Sequence, residues 1–116
     1  MRAASLALLL VALAGCMPST ETIDDATCPE ESELTYDNFG AEYLATYCQR
    51  CHASAADDRN GAPSSITFDT VEEVRDHMDR IYARAAGDNT SMPPGNDDPP
   101  AAEREMLAEW LACGAP

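Results

Sequence analysis

Apolar residues along this chain form one continuous run and three periodic ones. The continuous run comes first, from Ala3 to Ala14, broken only by Ser5 and preceded by Arg2. About a dozen apolar residues behind one positive charge is the plan of a secretory signal, too short to span a bilayer comfortably. Farther on, Phe39, Tyr43, Leu44 and Tyr47 share one helical face, which predicts a helix capped by Asp37 or Thr35 and continuing past residue 47. Val71, Val74, Met78, Ile81, Tyr82 and Ala85 predict a second helix, opened by Thr70 with Glu73 as a capping box and closed by Gly87. Met106, Leu107, Trp110 and Leu111 predict a third, with Asp98 as N-cap, Pro99 or Pro100 in its first turn and Gly114 beyond its end. Residues 53–65 read as loop through Asn60-Gly61 and Pro63, and 88–100 is too rich in Pro, Gly and Asp for any element interior. Only Ile66–Thr70 looks β-like. The expected fold class is all-α with long loops.

Between the first predicted helix and the first loop stands Cys48-Gln49-Arg50-Cys51-His52, a C-x-x-C-H run. This order and spacing is the attachment pattern of c-type haem. Two thiols one backbone turn apart can each add to a vinyl group, and the adjacent imidazole then lies under the iron. The expected cofactor is one covalent haem c, held by Cys48 and Cys51, with His52 as an iron ligand.

The roles of the other cysteines come from this assignment. Leu13-Ala14-Gly15-Cys16 resembles the lipobox of bacterial lipoproteins, which implies cleavage of residues 1–15 and a lipid on Cys16. Export puts the chain in an oxidising compartment, where the unassigned pair Cys28 and Cys113 is expected to form a disulfide. Residues 16–33, with Ile23 as their only branched aliphatic residue, cannot bury enough surface to order themselves and read as an acidic linker. With Cys28 pinned, the free tether is Met17 to Thr27, at most about 36 Å long when extended. Residues 34–116 remain as one small domain, for which a buried haem and a terminal disulfide would supplement a thin core.

Residues 36–114 resemble a class I c-type cytochrome. In that family a glycine lies eight residues before the first haem cysteine, here Gly40, and packs on an aromatic of the C-terminal helix, here Trp110. A methionine in a Pro-rich loop supplies the sixth iron ligand, and Ser91-Met92-Pro93-Pro94 is similar to that loop. A proline about a dozen residues after the ligand histidine offers its carbonyl to the ring N–H, and Pro63 stands near that spacing. The chain departs from the family in having Leu44 where an aromatic is common, beside Tyr43, and in lacking lysine altogether.

Among the methionines that would survive cleavage, Met17 is in the tether and Met78 and Met106 sit on apolar helix faces, where methionine usually fills core space. Met92 is therefore the favoured sixth ligand, with His77 as its rival. Tyr47, Leu44, Ile81, Tyr82 and Trp110 are candidates to wall the haem.

With both axial positions filled, the iron can only exchange electrons. The expected function is that of a lipid-anchored, single-electron carrier at the outer face of a bacterial membrane, and not of an enzyme. Met17 after the lipidated cysteine, in place of an aspartate, favours the outer membrane. A haem sensor or small redox enzyme with an open sixth position is the alternative. A zinc module built on Cys28, Cys48, Cys51 and His52 or Cys113 is a third class, disfavoured because only one ligand pair is closely spaced. The chain carries 21 acidic residues against 7 Arg, a formal charge of −14. That balance argues against nucleic acid and suits both solubility and redox partners with a basic docking face.

Overall fold

Thr35, rather than Asp37, opens the first helical stretch of the computed structural model, which describes residues 20–95 and 98–116. The signal segment 1–15 and Cys16 lie outside these residues. Thr35 Oγ1 accepts the Asn38 N–H at 3.2 Å and Asn38 Oδ1 accepts the Thr35 N–H at 2.7 Å, a reciprocal cap. A π-helical turn, Tyr36–Gly40, then leads into α1 (Ala41–Tyr47), followed after Cys48 by the short α2 (Gln49–His52). The remaining elements are α3 (Val71–Asp76), α4 (Met78–Ala85) and α5 (Ala101–Ala112). Among the described residues there is no strand, and no helix is long and apolar enough to cross a membrane. The fold is helical.

The predicted second helix is two. Thr70 and Glu73 form the expected capping box, but the helix breaks at His77, where φ is −121°. The cause lies in the side chain. His77 Nδ1 donates to the Glu73 carbonyl at 2.8 Å, the acceptor its own backbone N–H would take in a continuous helix, and that N–H turns to Val74 O instead. α3 and α4 therefore meet at an angle set by one imidazole.

The third helix starts later than its sequence suggests. Pro100, not Asp98, is the N-cap, with φ −52° and ψ 146°, and no side chain caps the helix. A residue before proline is pushed out of the helical region, so the consecutive Pro99 and Pro100 keep both Asp98 and Pro99 extended. Arg104 ties the segments ahead of the helix to it, donating to Pro99 O at 2.6 Å and Gly87 O at 2.9 Å. Met106 is exposed rather than packed on the core.

The core lies among α1, α3, α4 and α5, where Leu44, Val74, Leu107, Trp110 and Leu111 are fully buried. Rings run through it in sequence: Trp110 to Phe39 at 6.0 Å, Phe39 to Tyr43 at 5.3 Å, Tyr43 to Tyr47 at 4.9 Å. Gly40 lets α1 close on α5. A Cβ placed there would lie 2.6 Å from Trp110 Cη2, and that ring, wholly buried, has nowhere to go. Gly40→Ala is expected to cost about 1–3 kcal/mol, the usual penalty of an overpacked contact. A chemical denaturation series would read it as a lower midpoint with unchanged slope, and an unchanged midpoint would show that the contact yields freely.

Residues 21–26 do not act as free linker. Ile23–Asp25 forms a 3-10 turn, and Ile23 and Ala26 pack on the core. Buried Asn89 grips the backbone of Glu21 from both sides, accepting its N–H at 3.2 Å and donating to its carbonyl at 2.9 Å. The amide supplies what a paired strand would, so a segment too polar to order itself is ordered by its neighbours. The expected tether of Met17 to Thr27 is shortened accordingly, ending near residue 20.

Candidate functional site

The single turn from Cys48 to His52 decides the geometry of the site. Cys51 N–H and His52 N–H both donate to Cys48 O, at 3.2 and 2.9 Å, so the two thiols and the imidazole leave the backbone within one turn. All three reach the wall of one cavity of about 280 Å³, lined mainly by apolar atoms. Met92, His77 and Pro63 line the same cavity. The chain thus brings together every residue that the C-x-x-C-H reading singles out, together with both candidates for the sixth ligand.

His52 is held by residues farther along the chain. Its ring Nδ1 lies 3.0 Å from Ile66 O, and its backbone carbonyl accepts the Phe68 N–H at 2.8 Å. A carbonyl only accepts, so Nδ1 carries the proton and Nε2 is left with its lone pair. Phe68 stacks on the imidazole with ring centres 4.7 Å apart and meets His77 edge-on at 6.1 Å. The acceptor is Ile66, therefore, and not Pro63. Pro63 O is already taken by the Ile66 N–H at 3.0 Å and an Arg59 Nη2–H at 2.8 Å. The extended residues Ile66–Thr70 pair with no strand; they run back past His52 and deliver Phe68 and the Ile66 carbonyl to it.

Burial pushes the Cys48 thiol up to about 12, with the neighbouring Cys51 adding to the effect. A thiol shifted upward in this way is not the activated nucleophile of a disulfide oxidoreductase. Cys48 and Cys51 are both free of disulfides, whereas Cys28 and Cys113 are joined, with their Cα atoms 4.7 Å apart. That bond removes Cys28 and Cys113 from any zinc-ligand set.

Met92 arrives on a loop anchored to α4, its N–H donating to Arg84 O at 2.9 Å. The side chain is half-buried at the cavity between two walls of proline and helix. His77 and His52 both touch the Phe68 ring, while Met92 comes from the loop after α4. Of the residues expected to wall a haem, Tyr47 and Ile81 line the cavity; Leu44, Tyr82 and Trp110 do not. Those three face the contacts among the helices, where Gly40 and the docked residues 21–26 cover them. Their places are taken by Tyr43, Ile66 and Phe68. The signal for Phe68 was available: a short apolar run immediately ahead of a capping box has to pack on something.

Charge is distributed unevenly around the cavity. Of the seven arginines in this acidic chain, Arg50, Arg59, Arg80 and Arg84 line it. Arg80 and Arg84 lie one helical turn apart on α4, both exposed, with no hydrogen bond or ion pair from either guanidinium among the described residues. Among the described residues, two buried side-chain atoms lack a hydrogen-bond partner, Tyr43 Oη and Arg59 Nε, and both belong to cavity-lining residues. Burial also keeps the Tyr43 phenol protonated, well above the usual range, so it remains a donor. An apolar cleft with an imidazole, a thioether, two thiols, orphaned polar atoms and a cationic rim fits a flat apolar group bearing anionic substituents. Haem c is such a group.

Comparison of the chain with protein-family models, with curated proteins and with solved structures gave no match.

Proposed function

We propose that this chain is a monohaem c-type cytochrome of class I type, a single-electron carrier anchored by a lipid on Cys16 at the outer face of a bacterial membrane. The observation that carries the proposal is the convergence of Cys48, Cys51, His52 and Met92 on one apolar cavity. Bound haem c would supply the redox chemistry, through an iron that cycles between two oxidation states. Everything else falls to the chain. The Cys48 and Cys51 thiols would hold the group covalently, each adding S–H across one vinyl double bond, an addition that releases no electron. His52 presents Nε2, since its Nδ1–H is engaged with Ile66 O. Met92 would supply the second protein ligand, and a thioether ligand favours a higher potential than a second imidazole.

Arg80 and Arg84 would pair with the carboxylates of the cofactor, while Tyr43, Phe68 and Ile81 would keep water from it. With His52 and Met92 both serving as ligands, the iron would have no open position for a substrate, which argues for a carrier rather than an enzyme. The helical fold and the close contact of Gly40 with Trp110 support the likeness to class I cytochromes. The acidic remainder of the surface would attract a basic region of a redox partner, an attraction that salt weakens.

The test is spectroscopic. The mature protein, expressed in a bacterial periplasm with cytochrome c maturation machinery, should show sharp low-spin bands when reduced. When oxidised it should show the weak long-wavelength band of an iron–methionine bond. Met92→Ala should lose that band completely and bind carbon monoxide rapidly when reduced, and His77→Ala should leave both properties unchanged. The reverse pattern would assign His77 as the ligand. Rapid carbon monoxide binding by the wild type would mean an open sixth position and a sensor or enzyme. A protein without covalent haem would end the proposal.

A further inference from the structure

His52 does not hold the Ile66 carbonyl alone. Arg59 Nη2 donates to the same oxygen at 3.0 Å, the distance at which His52 Nδ1 approaches it. The same guanidinium donates to Ala53 O at 2.7 Å and Pro63 O at 2.8 Å, tying both ends of the loop between the imidazole and its acceptor. A carbonyl has two lone pairs and can serve both donors, but a cationic donor on one draws electron density from the other. The pull of Ile66 O on the imidazole proton is therefore weaker than it would be without Arg59.

Building on the proposal that His52 ligates haem iron, we infer that Arg59 is a positioning residue that sets how strongly His52 donates to the iron. It does so by fixing the Ile66 carbonyl and by sharing it. A stronger Nδ1–H···O bond makes the ring more basic and stabilises the oxidised metal. Arg59 holds that bond back. Its half-buried positive charge also disfavours the additional charge of the oxidised state, being screened less than a fully exposed cation. Both effects act in one direction, toward a higher reduction potential.

The experiment compares the haem-loaded wild type with Arg59→Gln and Arg59→Lys. Covalent haem is quantified in each, and each is then subjected to redox titration and to proton NMR of the His52 ring N–H in the reduced protein. Arg59→Gln should retain its haem and shift the equilibrium about tenfold toward the oxidised form, a fall of about 59 mV for one electron. Its ring N–H resonance should move downfield as the hydrogen bond strengthens. Arg59→Lys keeps the charge but loses the planar fork, and should fall in the same direction by less. If Arg59→Gln does not mature, the lysine variant carries the test alone. A potential equal to or above that of the wild type in a haem-loaded variant overturns the inference and leaves the cytochrome proposal standing. Absence of haem from the wild type would overturn both, before any variant is made.

Discussion

Replacing Cys48 and Cys51 together by alanine should leave no haem on the chain after denaturation. The two sulfurs are the only free thiols among the described residues, and both face the cavity that His52 also lines. Their separation of one backbone turn, fixed by the two N–H groups that share Cys48 O, matches the two-point attachment. Neither thiol is joined in a disulfide. Each single variant should keep one thioether and still stain for haem on a denaturing gel. The double variant should lose the stain entirely. A double variant that still carried covalent haem would show that the attachment lies elsewhere.

Severing the Cys28–Cys113 disulfide should produce the second large effect. The two cysteines are 85 residues apart in sequence, so their bond closes nearly the whole described chain into one loop. The chain-entropy relation gives about 4–5 kcal/mol for a loop of this length, a large part of the roughly 5–15 kcal/mol that stabilises a typical domain. The bond also holds residues 28–34 against the end of α5, where Ser32 Oγ donates to Glu109 at 2.6 Å and the Tyr36 N–H donates to Pro116 O at 2.6 Å. Cys28→Ser with Cys113→Ser, and reduction of the wild type, should lower the denaturation midpoint by the same amount and render the segment before Thr35 sensitive to protease. A loss below about 1 kcal/mol would mean that the unfolded chain is already compact and that the loop-closure argument does not apply here.

Much of the local architecture was legible because its causes lie within a few residues of each other. Thr70 and Glu73 are three apart, and a box of that kind forms wherever the backbone turns helical. Thr35 with Asn38 works in the same way, although the sequence left Asp37 as an equal candidate. The C-x-x-C-H run needed only one turn of backbone to aim its three side chains at one cavity. The break at His77 was not legible, since it depends on an imidazole reaching back to Glu73 O rather than pointing outward. Nor was the start of α5: Asp98 is a good capping residue, and the two prolines behind it prevent its use.

The divide runs along sequence distance. By itself the sequence determined the helical class, the loop positions, the cysteine pairing and the residues that converge on the candidate site, all through periodicity, capping and cysteine assignment. Only the tertiary structure decided that Ile66 rather than Pro63 accepts the His52 proton, 14 residues along the chain, and that Arg59 shares that oxygen. It alone decided that Asn89 fastens Glu21, 68 residues away, and that Phe68 and Tyr43 line the cavity while Leu44 and Trp110 pack between helices. The physical reason is that a carbonyl is offered by every residue, so chemistry does not single one out. Which one a donor reaches is set by how the intervening loop closes, and that closure depends on contacts made across the whole fold.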